Sequence, residues 1–226
     1  MMPKRVGRRP GAGSPIPPQL VAAVLCAALS AVSCSAGEEA GTPVPRLCES
    51  SLDAAAGRGL VALNGGDGFH EAEDSSLTAG ARALRHSGQT GDPPPPVACA
   101  VLGSDGEGPL VSVRFRRVAE GLGRVKGKLD SRSIEYRMGE WGVAGPGGAV
   151  LVFRCTRGSE KGVDPFVEGS LVVKPTDAQG KLGDRGRGEA AMAVLRSVTS
   201  TMAGRLGCLD EARIPAKLPA PGPPVP

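Results

Sequence analysis

The sequence predicts an α+β domain: an antiparallel sheet with an N-terminal helix and a long C-terminal helix packed on one face, stapled by disulfides. Three observations carry this. From Gly188 to Gly207, Ala191, Leu195, Val198, Met202 and Leu206 recur at steps of four, three, four and four, which is the helical period. Residues 97–118 and 149–174 read instead as two pairs of strands joined through glycine-containing turns. Cys48, Cys99, Cys155 and Cys208 stand at or near the ends of these elements, spaced by 51, 56 and 53 residues.

In chain order, the first segment is a targeting signal. Residues 1–19 carry Lys4, Arg5, Arg8 and Arg9 and no acid, and residues 20–33 are apolar or small throughout. That is a charged n-region and a short h-region. About 14 apolar residues fall short of the roughly 20 that a spanning helix needs. The stretch Ala31-Val32-Ser33-Cys34 resembles the lipobox of bacterial lipoproteins, with alanine where that family usually has leucine. The resemblance implies diacylglycerol on the Cys34 sulfur and removal of residues 1–33. Ordinary signal-peptidase cleavage is the competing reading, since Ala31-Val32-Ser33 also fits the small-x-small rule. Cysteine parity favours the lipid. Cleavage removes Cys26, and lipidation of Cys34 leaves four cysteines, an even set suited to an oxidising exterior.

The same cut decides the charge. The chain has 27 Lys+Arg against 23 Asp+Glu, and the whole excess is Lys4, Arg5, Arg8 and Arg9. A neutral exported domain has no overall electrostatic reason to bind nucleic acid. Residues 34–46 read as a lipidated N-terminus and flexible tether, residues 47–212 as one domain, and residues 213–226 as a disordered Pro-rich tail. Aromatics make up only 3%, so the core must be built from Val, Leu and Ala. A core that thin makes disulfides part of the stability.

Within the domain, residues 48–56 start like a helix, with Ser50 as the cap and Asp53 three residues later. Leu52, Ala56, Leu60 and Leu63 fall along one face, although Gly57 and Gly59 weaken the pattern. Leu77 to Arg85 reads as a short helix. Val97–Leu102 and Leu110–Val118 read as a hairpin, with Val111, Val113 and Phe115 on one face and Ser112, Arg114 and Arg116 on the other. Residues 133–141 suggest a further strand. Ala149–Cys155 is the strongest strand, and Gly169–Lys174, stopped by Pro175, is its expected partner. The last helix ends at Gly207, a fitting C-cap.

Four cysteines allow three pairings. Cys48–Cys99 and Cys155–Cys208 are favoured, because each ties a helix end to a strand nearby in sequence. With no C-x-x-C and only His70 and His86 as histidines, a zinc site has little support, and neither a metal nor a cofactor is expected. No catalytic residue can be named either. Gly158–Gly162 has its serine one place too early for a nucleophile elbow. His70-Glu-Ala-Glu-Asp74 lacks the second histidine of a zinc helix and reads as a solvated acidic loop. His86 reads as a surface histidine. Arg114, Arg116 and Arg117, with Arg124, Lys126 and Lys128 beyond, read as charges that keep an edge strand from pairing. The alternative is a basic surface for anionic headgroups or wall polymers.

The Ala31–Cys34 stretch, the Pro-Arg-Leu-Cys48 start, Val97-Ala-Cys99 and the Ala-rich helix ending Leu206-Gly-Cys208 together resemble small lipoproteins of high-GC actinobacteria. The resemblance implies an extracytoplasmic protein held at the membrane through lipid on Cys34, with a soluble secreted form as the alternative. Two functions remain open. One is a non-enzymatic module binding a ligand or partner protein at the envelope. The other is an envelope hydrolase using a carboxylate pair, whose spacing no sequence reveals.

Overall fold

The computed structural model describes residues 41–86, 94–103, 107–119, 132–156 and 164–222. Two of its elements flank a sharp left-handed turn. A 3₁₀ turn at Val44–Arg46 leads into Cys48, Glu49 and Ser50, whose φ values are 50°, 54° and 61°. Helix α1 begins only afterwards, at Ala54–Asn64, and its cap is Asp53, whose carboxylate accepts from the Ala55 and Ala56 amides. The expected Ser50 cap is therefore replaced. Positive φ at three successive residues cannot continue into a right-handed helix, and Asp53, with extended backbone, is the residue whose carboxylate satisfies the free amides.

The remaining elements are β1 (His70–Glu71), α2 (Leu77–His86), β2 (Val97–Leu102), β3 (Pro109–Val118), β4 (Ile134–Tyr136), β5 (Trp141–Gly145), β6 (Gly148–Arg154), β7 (Phe166–Val173), α3 (Gly183–Leu206) and α4 (Leu209–Ala212). All strands join one antiparallel sheet in the order β1-β2-β3-β7-β6-β5-β4. The fold is α+β, as the sequence predicts. Both expected strand pairs form, Val101 facing Val111 in one and Leu151 facing Gly169 in the other. The single strand expected at 133–141 is two short strands around a turn. One placement differs more seriously: β3 lies inside the sheet, paired on both sides, and is not an edge.

Alternate residues explain the layers. Val111, Val113, Phe115, Val167, Leu171, Leu151 and Phe153 share one buried core with Leu60 and Leu63 of α1, Leu84 of α2 and Val194, Leu195 and Met202 of α3. Helix α3 is buried around most of its circumference, because α1 covers the side turned away from the sheet. Gly59 permits this layering. A β-carbon there would lie 2.8 Å from the Ala190 carbonyl oxygen, so only glycine lets the two helices meet. Gly207, with φ 77°, ends α3 as expected.

Disulfides join Cys48 to Cys99 and Cys155 to Cys208, with Cα separations of 5.1 and 5.2 Å. This is the pairing favoured from the sequence. The Pro-rich tail departs from expectation. It forms neither helix nor strand, yet through Gly222 it is packed: Ile214 and Leu218 rest on the core, and the Gly222 amide donates to the Glu135 carbonyl at 2.8 Å. Two apolar side chains, backbone bonds at Arg213 and Gly222 and the Arg196 guanidinium on the Pro215 carbonyl hold an extended segment that proline had already stiffened.

Candidate functional site

The second face of the sheet offers the best candidate. Cross-strand register lines up Trp141, Val152, Glu168 and Arg116 in one row. The next row holds Val143, Val150, Ser170 and Arg114, and the third holds Gly145, Gly148, Val172 and Ser112. The period-2 alternation that points Val111 and Leu151 at the helices necessarily points these residues the other way. The result is a face divided by strand, apolar on β5 and β6, mixed on β7 and β3, and carrying Glu135 on β4 beside Val143. Trp141, Val143 and Val152 form a cluster of their own, with Val118, Val150 and Phe166 against it.

Where the β5–β6 turn meets β7, this face sinks into an open concavity of about 400 Å³. Val143, Val150 and Val172 supply its apolar walls, Ser133 and Ser170 its hydroxyls, and Gly145-Pro-Gly-Gly148 its rim, with Arg132 beside them. Val172 is 63% exposed, an unusual state for a valine in the middle of a sheet. The volume lies in the range of small-ligand sites, and apolar walls with a few hydroxyls are the usual composition of such sites. Among the described residues no carboxylate lines it.

The mixed half is ordered internally. Arg116 grips Glu168 with both ends of its guanidinium, Nε to Oε1 and Nη2 to Oε2, each at 2.9 Å. Arg114 donates to the Pro95 carbonyl at 2.6 Å. Arg117 points the opposite way, into the core, and donates to the carbonyls of Leu84, Cys155 and Asp164. Burial pulls its pKa below the ordinary arginine value, and the nearby Asp164 charge opposes this. The three arginines thus do three separate things, and none screens a sheet edge. Arg124, Lys126 and Lys128 lie outside the described residues.

Two further polar clusters hold the N-terminal turn in place. The Glu49 carboxylate accepts from Ser76 Oγ, the Thr78 amide, Thr78 Oγ1 and Arg205 Nη1. Burial raises its pKa, but these donors outweigh burial and lower it to about 2. Asp53, besides capping α1, pairs with the buried guanidinium of Arg196, while Ser197 bridges the Asp53 amide and the Ser51 carbonyl. Arg196 also reaches the Pro215 carbonyl of the tail.

The residues singled out from the sequence are dispersed. Cys34 and Gly158–Gly162 lie outside the described residues. His70 is exposed on the short edge strand β1, and its neighbour Glu71 accepts from the Cys48 amide at 2.9 Å. His86 is exposed at the end of α2. Among the described residues no group of three His, Cys, Asp or Glu side chains could hold a metal, and no helix is long and apolar enough to cross a membrane. Sequence reasoning missed the inward turn of Arg117, although the alternation through Val111, Val113 and Phe115 reaches position 117 next.

No family model, no curated protein and no solved structure matches this chain.

Proposed function

We propose that the protein is an extracytoplasmic lipoprotein, held at the membrane through lipid on Cys34, and that its domain is a non-enzymatic module binding a ligand or partner at the envelope. The observation that carries the binding role is the open concavity beside Val150 and Val172, where Val172 is the most exposed large apolar side chain among the described residues. The disulfides agree with an oxidising compartment. The carboxylate-pair reading is the weaker one. Glu168 and Glu135 both point from this face, but three strand spacings of about 4.8 Å each separate β7 from β4 and Glu168 is already clasped by Arg116, whereas a glycosidase pair stands within about 10 Å of one substrate.

Titration with anilinonaphthalene sulfonate, an amphipathic anion that fluoresces on apolar surfaces, tests the binding role. The native protein is expected to enhance its emission, Val172→Asp to reduce the enhancement, and Leu209→Asp, at an exposed apolar residue elsewhere on the surface, to leave it unchanged. No enhancement by the native protein, or an undiminished one from Val172→Asp, overturns the assignment. The anchor is tested separately by the intact mass of protein extracted from membranes. A chain beginning at Cys34 without added diacylglycerol overturns it.

A further inference from the structure

A second apolar recess lies on the opposite layer, between the 3₁₀ turn and α1. It measures about 610 Å³, with Val44, Pro45, Leu52 and Val61 among its apolar lining and Asp53 and Arg58 as its charged lining. Val61 is 38% exposed on α1, and Arg46 and Arg58 are exposed beside the recess. Of the described carboxylates nearby, Glu49 turns to Arg205, while Asp53 lines the recess with its charge paired to Arg196. Among the described residues the recess therefore combines an apolar floor with two unpaired arginines and one paired carboxylate at its rim.

Its place in the chain says what it meets. Gly41 stands seven residue steps after Cys34, and the Thr42 amide is fixed to the Phe69 carbonyl at 2.6 Å. At most about 3.6 Å per residue, that tether spans about 25 Å. A domain of this size is roughly 40 Å across. A chain lipidated at Cys34 holds the face around Thr42 and Val44 near the bilayer, and the sheet's open face belongs to the other layer.

We propose that the recess between the 3₁₀ turn and α1 is a membrane-docking face, seating Val61 at the headgroup–acyl boundary of an anionic bilayer with Arg46 and Arg58 at the phosphates. The assignment rests on the lipid-anchor reading for its geometry. Its chemistry is that of interfacial binding, where a modest apolar area and a few cations add to a single lipid attachment. Docked this way, the domain turns the Val172 concavity away from the lipid and toward the envelope.

The test needs no native lipid. In an unlipidated chain beginning at Cys34, the other four cysteines are in disulfides, so Cys34 is the sole free thiol and couples to a maleimide lipid in phosphatidylglycerol–phosphatidylcholine vesicles. Val61→Trp and Val172→Trp are compared in vesicles with and without brominated acyl chains, above the shared background of Trp141. Val61→Trp is expected to lose most of its added emission to bromine, and Val172→Trp to keep it. Adding Arg46→Glu and Arg58→Glu to Val61→Trp is expected to restore the emission. Equal quenching at positions 61 and 172, or none at 61, overturns the docking face. A native mass lacking lipid on Cys34 overturns the anchor alone.

Discussion

Glu49→Gln is the most informative single substitution, because the structure fixes both the size and the pH dependence of its effect. The carboxylate ties the left-handed turn at residues 48–50 to the start of α2, with donors at 2.8 Å (Ser76 Oγ), 3.0 Å (Thr78 N), 2.7 Å (Thr78 Oγ1) and 2.6 Å (Arg205 Nη1). Ser76 in turn caps α2 by accepting from the Ala79 amide. Glu49 therefore serves the same helix start from outside it, where negative charge is favourable. A fall in pKa from 4.5 to about 2 would correspond to at most about 3.4 kcal/mol of stability. The side chain is 31% exposed, and solvent screening reduces this to about 1–2 kcal/mol. The folded-state pKa is depressed, so the contribution is complete above pH 4.5 and is lost as pH falls toward about 2. Urea unfolding of the oxidised protein across that range measures it. The native protein is expected to exceed Glu49→Gln by about 1–2 kcal/mol at pH 7, with the gap closing on acidification. A gap that stays constant down to pH 2, or none at pH 7, refutes the assignment of these bonds as stabilising.

Other substitutions probe the scaffold. Replacing Cys155 and Cys208 together by alanine reopens a separation of 53 residues, and the guanidinium unfolding midpoint is expected to report a loss of about 4 kcal/mol. Gly59→Ala drives a β-carbon against the Ala190 backbone and is expected to cost about 1–3 kcal/mol. Gly66→Ala, with no atom within 4 Å of the new carbon, is expected to change stability by less than about 0.5 kcal/mol in the same titration. Truncation after Ala212 removes Ile214 and Leu218 and takes the Pro215 carbonyl from Arg196, and calorimetry is expected to show a loss of about 2–4 kcal/mol.

The sequence was most legible where one local period decided the outcome. The apolar spacing from Ala191 to Leu206 marks α3, and the alternation at Val111, Val113 and Phe115 gives the faces of β3. Period 2 assigns a face but not a neighbour. The pairing of Val111 with Val173 and of Val118 with Phe166 joins distant segments, which is why β3 reads as an edge from sequence and lies inside the sheet. The start of α1 was ambiguous for another reason. Ser50 and Asp53 are both competent caps, and tertiary ties choose between them: the disulfide at Cys48 and the four bonds to Glu49 hold residues 48–50 left-handed. The concavity at Val172 was not legible at all. It depends on which strand lies beside the β5–β6 turn, and only the sheet order supplies that.

The buried arginines explain how so aromatic-poor a core keeps its outer segments in place. Taking a guanidinium from water costs several kcal/mol, and a well-packed apolar side chain in its place is often as stable. Arg117 and Arg196 are therefore poorly accounted for by stability alone. Their partners are instructive. Arg117 gathers the carbonyls of Leu84, Cys155 and Asp164, which belong to the end of α2, the end of β6 and the approach to β7. Arg196 joins the cap of α1 to the C-terminal tail through Asp53 and Pro215. Each reads backbone or cap oxygens that apolar contacts alone would leave free to slide, so each fixes a position where Val, Leu and Ala fix only burial. Both lie on the helical side of the sheet, as do both disulfides. The cross-linking is concentrated on that layer, leaving the face that exposes Val172 rigidly backed, which is the condition a binding surface requires.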